Sequence, residues 1–321
     1  MSDSDLESDR ERLAGRVALI SGGARGIGFA IAEDLASRGA AVVIADSGVT
    51  VDGGHPDPGV AQAAAERLGG KGAAFAADIA KPEAARAAVE LARERSGGLD
   101  IVVNNAAILR DGFLFKGRAE DWDEVIRVNL AAAYYLLVAA TPLLREQAKS
   151  GRGGDPYRWG RIINITSSAG WYGNYGVAPY ASAKAGLVGL TRVAALDMAR
   201  SGVTANAVAP FAATRVTDLI QPANEAQAAY KQRALTISPK HVATVVAWLC
   251  SPAAQHVSGQ LFGVRGREVF LFSQPRPVAR CLSAGKDWDV SALAAAAEAE
   301  LRPHFTDLRT DLEAFNTEPY V

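Results

Sequence analysis

The chain has 321 residues, 49% hydrophobic and 21% charged, with a formal net charge of −1, the make-up of one large α/β domain or two small ones. Scattered Lys and Arg at near-zero net charge leave no electrostatic footprint for nucleic acid, and no apolar run approaches the ~20 residues of a membrane-spanning helix. The polar opening MSDSDLESDRER is unlike a secretory or mitochondrial leader, and Cys250 and Cys281 have neither metal-ligand nor disulfide-framework spacing. A cytoplasmic protein without metal, membrane or nucleic-acid partner is therefore expected.

In chain order, residues 1–12 read as a disordered tail. Arg16 to Ser21 is a short apolar run that ends in glycines, and a helical pattern follows from Gly26 to Arg38. A second apolar strand spans Ala40 to Asp46. The alternation continues with strands near 73–78, 99–104, 161–167 and 203–208 and helices near 60–69, 82–96, 120–148, 179–200 and 241–251. Apolar strands that alternate with helices predict βαβ units, hence an α/β fold with a doubly wound parallel (Rossmann-type) sheet. Gly/Pro-rich inserts at 47–59 and 150–159 interrupt the rhythm. One dinucleotide-binding catalytic domain is predicted over 13–272. A C-terminal extension over 273–321 carries weak helical patterns near 290–301 and 307–315.

Ser21 to Gly28, SGGARGIG, lies between the first strand and the first helix. Glycines there let the backbone approach a pyrophosphate at the positive end of a helix. Gly22, Gly26 and Gly28 are thus candidate cofactor residues. Asp46 ends the second strand, where a carboxylate accepts hydrogen bonds from the ribose hydroxyls of NAD and repels the 2′-phosphate of NADP. Arg25, inside the turn, argues mildly the other way. NAD is the expected cofactor.

Tyr180 and Lys184 stand four residues apart on one face of a predicted helix. The lysine ammonium, the helix N-terminus and a positive nicotinamide should lower the phenol from about 10 toward working pH and make it an acid/base catalyst. Ser167, thirteen residues upstream of Tyr180 at a strand's carboxyl end, can hydrogen-bond the reacting oxygen, with Ser168 as competitor for that role.

From about Leu13 to Phe272 the sequence resembles the short-chain dehydrogenases/reductases. The resemblance rests on SGGARGIG, Asp78 in AADIA, NNAA at 104–107, VNL with Asn129, Ser167 and YASAK. It implies that Asp78 binds the adenine amino group, that Asn105 supports the fourth strand beside the ribose, and that Ile27, Ile79, Ala106 and Pro210 complete the cofactor's surround. It also implies that Asn129 holds a water in a proton relay with Lys184, and that Lys184 binds the nicotinamide ribose. Ser21 stands for the family's usual threonine, while Ala107 and Phe211 stand where glycine is usual.

Within the family, the insert after Asp46, NNAAILRDGFLF, GNYGVAPYASAKAG, APFAATRVT and FGVRGREVFLFSQPRP are similar to the hydroxyacyl-CoA dehydrogenase unit of peroxisomal multifunctional enzymes and their bacterial relatives. That similarity implies oxidation of a 3-hydroxyacyl-CoA thioester, with a steroid side chain or a fatty acyl group, and a homotetramer or dimer built on the 120–148 and 179–200 helices. Trp171, Tyr172 and Tyr175 are candidates to line an apolar substrate pocket. Two other readings stay open, a dehydrogenase of a free alcohol such as a sterol or terpenoid, and a non-enzymatic dinucleotide-binding regulator. The 273–321 tail is expected to pack over the pocket or an adjacent subunit contact.

Overall fold

Runs of aliphatic and β-branched residues such as VALI and AVVIA are apolar on both faces, and each becomes a strand covered by helices on either side. The structure is a computed structural model that describes residues 13–154, 157–218 and 225–321. The opening read as a disordered tail therefore lies outside the described residues. Among the described residues eight strands form one sheet in the order β3-β2-β1-β4-β5-β6-β7-β8. They are β1 Val17–Ser21, β2 Ala41–Ala45, β3 Gly72–Phe75, β4 Ile101–Asn104, β5 Arg161–Ile165, β6 Thr204–Phe211, β7 Leu261–Arg265 and β8 Glu268–Leu271. All pairs are parallel except β7 with β8. Strands are added outward in opposite directions from β1 and β4, and this switch in strand order opens the crevice at the strands' carboxyl ends where ligands of such sheets bind.

Among the boundaries that differ from the sequence pattern, two do so for visible reasons. The strand expected to reach residue 78 stops at Phe75, because Asp78 turns the chain. Its carboxylate accepts from Ala80 N at 3.0 Å and its carbonyl from Lys81 N at 3.1 Å. β6 runs on to Phe211, three residues past its expected end, paired with β7 throughout its second half.

Helices Gly26–Ser37, Pro58–Arg67 and Lys240–Cys250 cover one face of the sheet, and Pro82–Ser96, Ala119–Ser150 and Ala178–Met198 the other. By length and composition alone the Ala119–Ser150 run could cross a membrane. Its Leu136, Leu137, Ala140 and Leu144 nonetheless lie in the core against the sheet. The described residues of the 150–159 insert form a clip at the far end of the strands from the crevice. Arg152 and Tyr157 join Arg16 and the amide of Val17 around the fully buried Asp100.

The tail expected as one extension is divided in the structure. Thr310–Val321 groups with the main body, while Ser273–Arg309 is a unit of its own. Within that unit a helix, Val290–Ala296, starts at Asp289, whose side chain accepts from Ala292 N at 2.9 Å, and it buries none of its residues.

Candidate active site

Glycine at 22 and 28 is dictated by space. A Cβ on Gly28 would come within 2.1 Å of Gly22 O and 2.5 Å of Asn105 Nδ2, and Gly22 itself sits at φ +60° against the backbone of Ala106. The turn is braced from the fourth strand. Ser21 Oγ accepts from Asn105 N (2.9 Å) and Ala106 N (3.1 Å), and Asn105 Nδ2 donates to Ser21 O and Gly22 O. A threonine would do the same, so the departure at 21 preserves the brace.

Asp46 folds the second strand's end onto this turn: its carboxylate accepts from Ala24 N at 3.1 Å and Gly48 N at 2.8 Å. Arg25 lies 4.0 Å from that carboxylate and donates to Val49 O at 2.7 Å, so its guanidinium is engaged by the protein. The 47–59 insert leans on the loop after β4 through Leu109 N to Val51 O and Arg110 Nε to Asp52 O. Val49, Thr50 and Val51 thereby become a wall of the crevice. Asp78 reaches the same crevice, with its second oxygen held by Arg127 at 2.7 Å. Ile27, Ile79, Asn105, Ala106 and Pro210 complete the lining. The cavity measures about 850 Å³ and continues without a break from Gly22 to Ser167, Tyr180 and Lys184.

Those three residues meet where β5 ends and helix Ala178–Met198 begins. A polar ladder fixes the register of the two elements: Asn104 Nδ2 to Asn164 Oδ1 (2.8 Å), Asn164 Nδ2 to Thr191 Oγ1 (2.8 Å), and Thr166 Oγ1 to Lys184 O (2.6 Å). Asn164 and Thr191 look like ordinary strand and helix residues in sequence, and no motif marks them. Lys184 Nζ donates to Ile165 O at 2.7 Å and lies 5.6 Å from the Tyr180 ring centre; burial lowers its pKa to about 8. Ser167 interacts with the Tyr180 hydroxyl and lowers its pKa, whereas Ser168 Oγ is engaged by the protein, donating to Asp311 at 2.9 Å.

Among the protein's own groups, burial pushes the Tyr180 phenol up to about 12, the hydrogen bond with Ser167 lowers it, and the carboxylates of Asp311 and Asp111 raise it further, so any lowering toward working pH is left to the positive nicotinamide. The Asn129 amide, in the π-helical turn Arg127–Ala131, is engaged at both ends by Ile108, accepting from its N at 2.8 Å and donating to its O at 2.9 Å.

On the substrate side, Tyr175 lines the cavity but Trp171 does not, because its ring packs edge-on against Phe272 at 4.9 Å. Tyr172 meets Phe315 in the same manner at 5.6 Å. Phe315 belongs to the closing segment and also stacks on Phe211 at 4.5 Å, so the bulky residue at 211 is the seat of the tail. Arg265 clasps that segment through Phe315 O (2.7 Å), Thr317 Oγ1 (3.0 Å) and Glu318 O (3.2 Å). Asp311, Leu312 and Tyr230 then join the cavity wall. Residues 219–224, between Asp218 and helix Glu225–Leu235, lie outside the described residues.

A family model described as Enoyl-(Acyl carrier protein) reductase matches residues 22–266. The chain is 41% identical over 288 residues to hydroxyacyl-CoA dehydrogenase ChsB1 of Mycobacterium tuberculosis, covering 88% of this chain and 87% of that protein. It is 38% identical over 263 residues to 3-oxoacyl-(acyl-carrier-protein) reductase FabG of Vibrio cholerae, covering 79% and 97%. Among solved structures it is similar to a short chain dehydrogenase from Mycobacterium avium, with TM-score 0.75, 33% identity and coverage of 90% and 95%. It is also similar to 3-ketoacyl-(acyl-carrier-protein) reductase from Brucella melitensis complexed with NADH, with TM-score 0.69, 28% identity and coverage of 79% and 98%.

Proposed function

The chain belongs to the short-chain dehydrogenase/reductase family and is an oxidoreductase acting on CH–OH donors, and on that premise we propose that it interconverts a 3-hydroxyacyl thioester and its 3-keto form with NAD. The observation that carries this reading is the single crevice that joins the glycine turn to Ser167, Tyr180 and Lys184. The residues fit a dinucleotide: a backbone cradle at Gly22 and Gly28 that a Cβ would fill, a helix N-terminus at Gly26, and Asp46 beyond it. Gly22, Arg25, Gly26, Ile27, Gly28, Asp46, Asp78, Ile79, Asn105, Ala106 and Pro210 would hold it, with Tyr180 and Lys184 at its nicotinamide end. When bound, the nicotinamide accepts or delivers hydride at the carbinol carbon. In this reading Ser167 holds the reacting oxygen and Tyr180 takes or returns its proton. Lys184, fixed to Ile165, supplies positive charge beside the phenol, and the clamp between Asn129 and Ile108 holds the loop after β4 in place.

The thioester is favoured by the names of the similar proteins, hydroxyacyl-CoA dehydrogenase and 3-oxoacyl-(acyl-carrier-protein) reductase, and by a cavity of about 850 Å³ with Tyr175, Phe113 and Leu312 on its wall. Steady-state assays across a 3-hydroxyacyl-CoA series, the free hydroxy acids and simple secondary alcohols test it. Turnover of free alcohols without turnover of any thioester would move the assignment to the former.

For the cofactor, Asp46 supports NAD over NADP by at least about tenfold in kcat/KM, or about 1.4 kcal/mol, through charge repulsion and lost ribose hydrogen bonds. Equal use of both cofactors refutes the assignment. Free Cys250 and Cys281 support a reducing, cytoplasmic setting. Exposed Tyr134 and Val138 on one long helix and Val193 and Leu196 on the next support a homotetramer or dimer through these faces. Sedimentation at micromolar concentration should give an oligomer, and a monomer alone rejects it.

A further inference from the structure

The substrate half of the crevice carries two carboxylates, Asp311 from the closing segment and Asp111 from the loop after β4, and both act electrostatically on Tyr180. Asp311 is delivered there by a built device. Thr310 and Glu313 form a reciprocal capping box around it, Asp311 N donates to Gly173 O at 3.2 Å, and Ser168 Oγ donates to Oδ2 at 2.9 Å. The residue is 7% exposed, and its Oδ1 is buried without a hydrogen-bond partner.

Among the described residues, the cations packed around Asp311 are committed elsewhere. Lys184 on helix Ala178–Met198 bonds Ile165 O. Arg265 on β7 bonds Glu268 and the carbonyls of the tail, and Arg233 on helix Glu225–Leu235 bonds Asn316 and faces Glu318. The remaining titratable neighbours are the phenols of Tyr180 and Tyr230, which Asp311 pushes upward in pKa, and Glu313 of its own turn, which caps Thr310. Among the described residues no ion pair neutralises either Asp311 or Asp111. A charge left uncompensated in a low-dielectric wall acts strongly on a like charge brought beside it.

We propose that Asp311 is a specificity-determining residue, which excludes substrates with a negative charge next to the carbinol and so admits the hydroxyacyl group only as a neutral thioester or ester. The inference rests on the proposed dehydrogenase reading and deepens it, because a free 3-hydroxy acid carries its carboxylate two bonds from the reacting carbon. Asp311 acts by its field on the bound substrate, while Ser168 holds it in place. The carboxyl group is raised to about 6 by burial, so it is ionised at pH 8 and largely neutral at pH 5.

The test measures kcat/KM of the full chain with NAD on a 3-hydroxyacyl N-acetylcysteamine thioester and on the matching free acid, at pH 8 and pH 5.5. If no thioester turns over, the pair becomes a neutral secondary alcohol that does and its carboxylated analogue, which separates failure of the thioester reading from failure of the charge rule. The wild-type ratio of neutral to anionic substrate should fall at least about tenfold in Asp311→Asn at pH 8, and should also fall in the wild type as pH drops through about 6. Ser168→Ala removes the hydrogen bond and leaves the charge, so it should keep the ratio high even if both rates decline. A ratio unchanged in Asp311→Asn, or one lost equally in Ser168→Ala, overturns the proposal. Should Asp311→Asn fail to fold, the pH dependence of the wild-type ratio decides alone.

Discussion

Tyr180→Phe should cut kcat by about 10²- to 10⁴-fold, the usual share of a positioned acid/base, and leave NAD affinity within a few-fold of wild type. The substitution removes one oxygen at the junction of β5 and helix Ala178–Met198. It leaves the polar ladder through Asn104, Asn164 and Thr191 that sets their register. The direction of the Tyr180 shift adds a second expectation. With the phenol raised to about 12, the hydroxyl form dominates at pH 7 to 8. Ketone reduction needs that form as proton donor and should be nearly flat across this range. Alcohol oxidation needs the deprotonated form, whose population rises about tenfold per pH unit below the group's pKa. Oxidation should therefore climb with pH until the positive nicotinamide of the oxidised cofactor, which lowers the phenol, brings a plateau. Initial rates in both directions from pH 6 to 10, with stopped-flow NAD binding, check both points. Near-normal turnover by Tyr180→Phe would falsify the assigned role.

Much of this site was legible because its signals are local. The glycine turn, Asp46 at a strand end, and Tyr180 with Lys184 at helical spacing each declare themselves within a few residues, and the alternation of strands and helices carries them to one edge of the sheet. The polarity of Tyr180 was not legible in the same way. Its phenol is governed by burial and by carboxylates from two distant segments, and neither is visible in a Tyr-x-x-x-Lys pattern. Trp171 illustrates the opposite error, where an aromatic close in sequence to the catalytic pair turns away to pack on Phe272.

The closing segment shows why the remainder was hidden. Ser168 and Asp311 are 143 positions apart, and no local pattern links them. The signals that could have pointed to it were Thr310 with Glu313, a capping-box spacing, and Phe211 in a place where the family usually has glycine. Glycine at 211 would leave Phe315 without one of its closest ring partners, which stand at 4.5 to 6.2 Å. The departure from the family pattern and the appended tail are two halves of one contact. They lie more than 100 residues apart in sequence, and only the fold joins them.

Gly28→Ala should raise the Kd for NAD at least about 100-fold, or about 2.7 kcal/mol, and lower the melting temperature as well. The added methyl would stand 2.1 Å from Gly22 O and 2.5 Å from Asn105 Nδ2. Neither neighbour is the free end of a flexible chain. Gly22 O is backbone in the turn itself, and Asn105 Nδ2 is the donor that ties Ser21 O and Gly22 O to the fourth strand. Relief of the clash therefore breaks the brace or lifts the helix Gly26–Ser37 away from the turn, and either movement misaligns the amides that would face a pyrophosphate. Two further alanines separate space from backbone conformation. At Gly26 a Cβ meets nothing closer than Thr214 at 3.8 Å, but φ is +53°. Gly26→Ala should thus cost only the ~1–2 kcal/mol of a left-handed residue. At Gly189, on the helix that bears Tyr180, nothing lies within 4 Å, so Gly189→Ala should stabilise by up to ~1 kcal/mol through helix propensity and leave NAD binding alone. Calorimetric NAD titration and thermal unfolding of the three variants read the order directly, and a Gly28→Ala variant that binds NAD like Gly189→Ala would show that this turn is not the cofactor's cradle.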